Sequence, residues 1–141
     1  AGDAPIDFEE AMHTYLAVGD IGQVRVVGLD GADFLDKVAG ERRVQEGDVV
    51  FTGETDRVYD STAAVRVEDP AGGRTILVAK TNSKNTVVWN PWIAKAAAMA
   101  DYGDQEWSGM VCVEAANALD NAVELGAGES CSMSQHLAIA E

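Results

Sequence analysis

The sequence predicts a single all-β sandwich domain, and three observations lead to this prediction. Short alternating or β-branched runs recur at regular spacing, glycines stand between many of them, and one stretch alone favours a helix. The chain has 141 residues, of which 47% are hydrophobic, and this is enough for a buried core. We find no repeat or linker within residues 1–141, so one domain is expected.

The predicted strands follow one another in order, and the first covers residues 6–18 and ends at a Gly-Asp pair. The sequence DPAGG, residues 69–73, is the clearest hairpin turn because proline and paired glycines separate two alternating runs. Residues 34–48 are polar and charged and are interpreted as an excursion between strands. The helix is predicted at residues 93–100, IAKAAAMA. The other predicted strands are residues 23–27, 49–52, 55–59, 63–68, 74–81, 86–90, 110–116, 122–125 and 130–139.

The charge balance limits the partners of the chain. Asp and Glu number 24 against 10 Lys and Arg, a formal net charge of −14, so nucleic acids and anionic membranes are poor partners. No apolar run reaches the length of a transmembrane helix, and the first residues do not resemble a secretory signal. Cys112 and Cys131 each lie in a β-like apolar run and are predicted to be buried free thiols. Together these features predict a cytoplasmic protein without a metal site or other cofactor.

His13 lies in the first predicted strand, within EAMHTYLAVGDI, residues 10–21. At a period of two, His13 shares one face of the strand with Tyr15, while the opposite face is apolar. This arrangement suits a histidine that lines a cleft, where an imidazole can donate or accept a proton near neutral pH. A purely structural histidine is the alternative at this position.

Glu114 is the single carboxylate in the apolar run MVCVEAAN, residues 110–117. A buried carboxylate without a partner is costly, so such a residue usually has a partner or a chemical task. Burial also raises a carboxyl pKa, which suits a base that works near neutral pH. The alternative is an edge strand on which Glu114 faces solvent. We therefore hypothesise that the two stretches face each other and that His13 and Glu114 form an acid–base pair.

Asp56 and Arg57, in the sequence GETDRVY, are further candidates for a binding site. Asp56 could accept hydrogen bonds from a polyol and Arg57 could bind an anion, but neighbours on a strand point to opposite faces. A surface ion pair is the alternative for both residues. The remaining aromatic and imidazole candidates are predicted to pack in the core, to line a cleft wall or to be structural: Trp89, Trp92, Trp107 and His136.

Six motifs occur in order along the chain: HTYLAVGDI, VVGLDG, FLDK, GETDRVY, VVWNPW and MVCVEAAN. In this order and spacing they resemble the aldose 1-epimerase superfamily, in particular its glucose-6-phosphate 1-epimerase (hexose-6-phosphate mutarotase) branch. The resemblance covers essentially the whole chain but only the C-terminal half of the family's sequence, because the HTY motif lies near the middle of the family's members.

The resemblance implies a galactose mutarotase-like β-sandwich, or supersandwich, truncated to roughly its C-terminal half. It also implies that the protein interconverts the α and β anomers of a hexose or hexose 6-phosphate without a cofactor. In this family the histidine of HTY protonates the ring oxygen and the glutamate of CVE takes the anomeric proton, and these residues correspond to His13 and Glu114. Asp56, the aspartate of TDRVY, is expected to hold sugar hydroxyls, with Arg57 as a further substrate-binding candidate.

The absence of the N-terminal half leaves several functions open, because that half would supply most of the phosphate-binding arginines. The chain is expected to form a homodimer, since half a sandwich exposes strand edges and apolar surface. One hypothesis is an isomerase whose cleft is completed by a partner chain. A second is a catalytically impaired relative that acts as a carbohydrate-binding or structural module. A third is a mutarotase for a neutral aldose.

Overall fold

Two antiparallel β-sheets pack face to face in the computed structural model, which describes residues 1–140. This arrangement confirms the predicted all-β class. The described residues contain one short α-helix, α1 (Trp92–Ala98), close to its predicted position, and short 3₁₀ turns at Ile21–Gln23, Glu106–Gly109 and Leu119–Asn121. The strands are β1 (Ile6–Phe8), β2 (Glu10–Ala11), β3 (Tyr15–Ala17), β4 (Arg25–Val27), β5 (Asp33–Asp36), β6 (Glu41–Val44), β7 (Val49–Val50), β8 (Thr55–Asp60), β9 (Val65–Asp69), β10 (Arg74–Thr81), β11 (Asn85–Asn90), β12 (Met110–Asn117), β13 (Val123–Leu125) and β14 (Ser134–Ala140).

The larger sheet has the strand order β2-β12-β11-β8-β5-β6, and β3 pairs with β12 further along the edge that β2 occupies. The smaller sheet has the order β14-β10-β9-β4-β7, and β1 and β13 form a separate two-stranded ribbon. The hairpin predicted around DPAGG is confirmed, because β9 and β10 pair antiparallel on either side of it. Tight turns of this kind connect antiparallel neighbours, which explains the frequent turn residues in the sequence.

The hydrophobic core lies between the two sheets and follows from the alternation of side chains along the strands. In β9, Val65 and Val67 are buried while Arg66 between them is exposed. Val88 and Tyr59 of the larger sheet pack into the same cluster from the other side. The period of two that predicted these strands is therefore the pattern that forms the core.

Strand β12 is buried at every position and lies inside the larger sheet, between β11 on one side and β2 and β3 on the other. Val111 and Val113 face the core, and Cys112 on the opposite face packs with Trp89. Glu114 is only 4% exposed. The alternative in which Glu114 faces solvent from an edge strand is therefore wrong.

Residues 34–48 are not an excursion between strands, because they contain the β5–β6 hairpin at the edge of the larger sheet. All four residues of β6 are exposed, so this strand needs no alternating apolar residues. Its polar composition therefore gives no sign that it is a strand. On β5, Phe34 provides the buried apolar contact, at 4% exposure. A charged edge strand of this kind is a common protection against edge-to-edge association.

The structure corrects two further expectations. The first predicted strand is divided into β1, β2 and β3, and residues 12–14 leave the strand conformation. Both cysteines are free as predicted, but Cys131 is exposed because it precedes β14, whereas Cys112 is buried.

Within residues 1–140, no helix has the length and apolar character needed to span a membrane.

Candidate active site

A cleft of about 380 Å³ lies on the face of the larger sheet that is turned away from the core, and its size is typical of small-molecule sites. Three of the four residues predicted to act on or bind the substrate come together here, namely His13, Asp56 and Glu114. The other residues that line the cleft are Glu9, Glu10, Ala11, Lys37, Val58, Val87, Trp89, Ala116, Ala118 and Leu119.

His13 and Glu114 are cross-strand neighbours. Ala11 is opposite Ala116 and Tyr15 is opposite Cys112, so the same register on both sides of the interruption places His13 opposite Glu114. His13 Nδ1 lies 3.0 Å from Glu114 Oε1, which is hydrogen-bonding distance. The two side chains differ in exposure, at 53% for His13 and 5% for Glu114. The pair therefore joins a buried carboxylate to an imidazole that a ligand can reach.

Aromatic rings hold the His13 imidazole on two sides. The Tyr15 ring stacks on it at a centroid distance of 4.9 Å, and the Trp89 ring meets it edge-on at 5.6 Å. Trp89 lies in the cleft floor and is 8% exposed, in agreement with its predicted place in a core or cleft wall. These contacts restrict the tilt of the imidazole, which still lines the cleft.

The environment of Glu114 makes it a base suited to neutral pH. Burial, followed by the negative charge of Asp56, raises the pKa of Glu114 from 4.5 to about 7, and Lys37 opposes this rise. A carboxyl group with this pKa can both take and return a proton under ordinary conditions.

Asp56 lies at the cleft wall on β8, two strands away from Glu114. Its backbone carbonyl accepts a hydrogen bond of 2.8 Å from Lys37 N, and its carboxylate is 3.7 Å from Lys37 Nζ. This contact brings Lys37 into the cleft from the end of β5. Lys37 belongs to the FLDK motif but follows the last residue of β5. No alternating pattern in the sequence therefore identified it as a site residue.

Arg57 does not line this cleft, because it follows Asp56 on β8 and points to the opposite face of the sheet. Its guanidinium lies 5.1 Å from the centre of the Phe34 ring and donates to Gln45 Oε1 and to Tyr59 Oη. The Asp36 carboxylate lies 3.9 Å from Arg57 Nε. The predicted substrate-binding role of Arg57 thus has no support from its position, whereas Asp56 is placed where that role is feasible.

The rim of the cleft contains a strained backbone position at Leu119. Its φ of 55° is in the left-handed region, which is unfavourable for leucine, and its N–H donates to Glu9 Oε1 at 2.6 Å. Strained residues of this kind often occur at functional sites, where neighbouring contacts hold them. The sequence carried no signal for this position, because leucine is not a typical left-handed residue.

One group of side chains, two of which line the cleft, offers metal-ligand atoms. The donor atoms of His13, Cys112 and Glu114 all lie within 4.8 Å of one another. Burial, followed by the charge of Glu114, raises the pKa of the Cys112 thiol far above its ordinary value, and a protonated thiol is a poor ligand. The expectation of no metal site therefore stays a prediction.

The other candidates lie outside the cleft. Trp92 and Trp107 pack against each other at a centroid distance of 4.7 Å beside the core, and His136 is exposed on β14. A second cavity, of about 480 Å³, shares Glu10 with the cleft and is lined mainly by amide, hydroxyl and apolar groups, with Lys84 and Glu124 as its other charged residues. It lacks a paired acid and base, so the smaller cleft is the candidate site.

The chain is thus an all-β sandwich that carries a His–Glu pair in an open cleft. The sequence model of the aldose 1-epimerase family matches residues 2–138, and the chain belongs to this family. The fold is correspondingly that of the mutarotases. Against a crystal structure of a provisionally named mutarotase from Salmonella typhimurium the TM-score is 0.89 at 33% identity, over 98% of this chain and 47% of that one.

Two curated relatives carry the provisional name glucose-6-phosphate 1-epimerase. The protein from Cenchrus ciliaris is 42% identical over 128 residues, which are 89% of this chain and 39% of the relative. The protein from Escherichia coli K12 is 42% identical over 111 residues, which are 77% of this chain and 37% of the relative. The chain therefore spans about two fifths of the length of these relatives.

Proposed function

We propose that the cleft interconverts the α and β anomers of a hexose or hexose 6-phosphate, with His13 and Glu114 as the acid–base pair. The observation that carries this proposal is the 3.0 Å contact between His13 Nδ1 and Glu114 Oε1 within a cleft of small-molecule size. Membership of the aldose 1-epimerase family supports the reaction class.

In the proposed reaction the Glu114 carboxylate takes the proton of the anomeric hydroxyl, and the C1–O bond to the ring oxygen breaks as the C1 carbonyl forms. The His13 imidazolium gives its proton to the ring oxygen. Rotation about C1–C2 in the open-chain aldehyde presents the other carbonyl face, and the ring hydroxyl then attacks C1. His13 takes back the ring-oxygen proton while Glu114 returns its proton to O1, so the enzyme ends unchanged.

Asp56 is proposed to orient the sugar rather than to transfer a proton. Its carboxylate can accept hydrogen bonds from neighbouring hydroxyls, and its charge also raises the pKa of Glu114. Lys37 is the one Lys or Arg side chain among the described residues that line the cleft. Its Nζ already lies 3.7 Å from the Asp56 carboxylate. The cleft walls present here therefore favour hydroxyl recognition over a strong phosphate grip.

The proposal is tested by NMR exchange spectroscopy between anomers, with glucose and glucose 6-phosphate as separate substrates. We expect the wild-type chain to accelerate exchange and Glu114→Gln and His13→Asn each to reduce the rate by at least about 100-fold, because each removes one proton-transfer group. Glu124→Gln, an exposed carboxylate on β13, is the matched control and should retain the wild-type rate. Equal rates for wild type, both variants and buffer would refute the proposal.

A second candidate function is sugar binding without turnover. It is favoured by the 53% exposure of the His13 side chain, since efficient proton transfer benefits from a site that excludes water. Isothermal titration with the same two sugars distinguishes the candidates. Binding that Asp56→Asn weakens, together with buffer-level exchange rates, supports this second function over the first.

We also propose that the chain self-associates. Leu137 and Ile139 are 48% and 60% exposed on β14, although they lie beside the buried Val78 and Ile76 on the core face of the smaller sheet. The outer edge of β14 has no strand partner among residues 1–140. An apolar edge of this kind favours pairing with another chain, and a second copy is the proposed partner.

A further inference from the structure

The interruption of the first strand at residues 12–14 has a specific cause in the hydrogen bonds of β12. Val18 N donates to Gly109 O, and Met12 N donates to Ala115 O at 2.9 Å. In an antiparallel ladder with this register, Met12 and Thr14 are the hydrogen-bonded partners of Ala115 and Val113. A regular ladder would also contain bonds from Ala115 N to Met12 O and from Thr14 N to Val113 O.

Gln135 makes both of these bonds in place of the strand backbone. Ala115 N donates to Gln135 Oε1 at 2.9 Å, and Gln135 Nε2 donates to Val113 O at 3.0 Å. A carboxamide offers one acceptor and one donor side by side, as a stretch of backbone does. Gln135 reaches this position from β14 of the smaller sheet, where it is opposite Lys80. The side chain therefore crosses the sandwich and occupies the ladder positions of residues 12–14.

The displaced backbone groups bond to each other. Thr14 N donates to Met12 O at 2.7 Å, and Thr14 Oγ1 donates to the same oxygen at 3.1 Å. A bond from residue i+2 to residue i closes a γ-turn, and His13 is its central residue. His13 is thus at the apex of a turn that the Gln135 carboxamide holds open.

We propose that Gln135 is a positioning residue that sets the location of the His13 imidazole in the cleft. In a continuous strand His13 and Glu114 would be a non-hydrogen-bonded pair, whose side chains lie especially close together. The turn instead fixes the backbone from which the imidazole extends, with Nδ1 at 3.0 Å from Glu114 Oε1 and the side chain 53% exposed. In this position the acid can reach a ring oxygen while Glu114 reaches the anomeric oxygen. The inference rests on the proposed function for its catalytic consequence, but the geometry of the turn can be tested independently.

The test uses Gln135→Met, which keeps the length of the side chain but removes both hydrogen-bonding groups. In wild type, NMR couplings across hydrogen bonds should connect Ala115 N to the side-chain carbonyl of Gln135. In the variant the coupling should pass to the Met12 carbonyl, and the Thr14 amide should become more protected from exchange as the ladder closes. The matched control is Gln23→Met, because Gln23 Nε2 donates to Asp20 on an exposed turn.

Anomer exchange kinetics give the functional readout. We expect Gln135→Met to lower kcat about tenfold or more with KM within about twofold, because the acid is misplaced while the binding surface is kept. Gln23→Met should match wild type in both constants. An unchanged Thr14 amide and unchanged His13 imidazole shifts in Gln135→Met would overturn the inference. The predicted NMR changes in a chain that lacks all exchange activity would uphold the turn and refute the proposed function instead.

Gln135→Glu provides a second variant that does not depend on the first one folding. Its carboxyl group can accept from Ala115 N at any pH, but it can donate to Val113 O only when protonated. Compared with wild type at the same pH, the Thr14 amide shift of the variant should therefore approach the wild-type value as pH is lowered through the titration of the new carboxyl group. Shifts that do not respond to this titration would contradict a positioning role.

Discussion

Glu114 is subject to two opposing requirements at the residue scale. Burial stabilises its neutral form, and its proposed task requires the carboxylate. The pKa of about 7 that results from burial and Asp56 is a compromise in which both forms are populated near neutral pH. Lys37 opposes a larger rise, so removal of its charge would raise the pKa of Glu114 further and leave the carboxylate less populated at neutral pH.

The raised pKa of Glu114 predicts a pH-dependent stability difference. The group is protonated in both the folded and unfolded states below about pH 4.5, and its burial as a carboxylate becomes a full cost above about pH 7. Relative to Glu114→Gln, the wild-type free energy of unfolding should therefore fall by about 3 kcal/mol as pH rises through this window. Urea unfolding at a series of pH values measures the difference.

The control for this measurement is Glu124→Gln, whose exposed side chain should give a difference from wild type that is nearly independent of pH. The difference in unfolding free energy between wild type and Glu114→Gln could instead be independent of pH, or could favour wild type more strongly above pH 7. Either result would contradict the conclusion that burial destabilises the Glu114 carboxylate.

The candidate residues show what sequence reasoning can and cannot reach at this scale. His13, Asp56 and Glu114 were identified because each is a polar group in a predicted strand, and the structure brings all three to one cleft. For Asp56 and Arg57 the alternation of strand faces required that they separate, but it could not say which would enter the cleft. Gln135 was missed because its role depends on a contact between sheets that no local pattern encodes.

At the scale of elements, the two sheets are tied together where β3 ends. Gly19 N and Gly72 N both donate to the buried Asp69 carboxylate, at 3.0 and 2.9 Å. A Cβ on Gly19 would lie 2.6 Å from the backbone of Ala71, closer than any normal contact. The DPAGG turn of the smaller sheet and the end of β3 therefore fit only with glycine at position 19.

Gly19→Ala is accordingly expected to destabilise the protein by about 1–3 kcal/mol, because the β9–β10 turn must move to accommodate a methyl group. Chemical denaturation measures this loss. Gly53→Ala is the control, since a Cβ there meets nothing within 4 Å. Equal unfolding midpoints for the two variants would show that the turn relaxes freely.

The elements also separate into those that sequence could predict and those that it could not. Strands with one buried face, such as β9 and β10, carry the alternating pattern, and the chain folds them as predicted. β6 could not be recognised because an exposed edge strand needs no apolar face. The break between β2 and β3 had no local signal either, because it is imposed by a side chain more than a hundred residues later.

At the scale of the whole molecule, the core between the sheets is buried, but the β14 edge of the smaller sheet exposes apolar side chains. The two sheets cover each other over β9, β11 and β12, whereas β14 extends beyond this overlap with large apolar side chains in solvent. The matched region covers 47% of the Salmonella structure, so that relative is about twice as long as the chain described here. The proposed self-association is a way to cover this border.

We expect light scattering at micromolar concentration to give a mass above that of a monomer. Leu137→Lys combined with Ile139→Lys should return the mass to that of a monomer, because two charges oppose burial of the β14 border. Val50→Lys is the control, since Val50 is similarly exposed, at 52%, on the strand at the opposite edge of the smaller sheet. A monomeric wild-type chain would contradict the proposal.

The edge-on contact between Trp89 and His13 gives the protein a built-in optical reporter. A charged imidazole quenches indole fluorescence when the rings touch, and these two ring centres are 5.6 Å apart. Trp92 and Trp107 are paired with each other beside the core and supply a constant background. The emission of the native chain should therefore follow the charge state of its proposed acid, and a sugar that enters the cleft should alter the same signal without any added label.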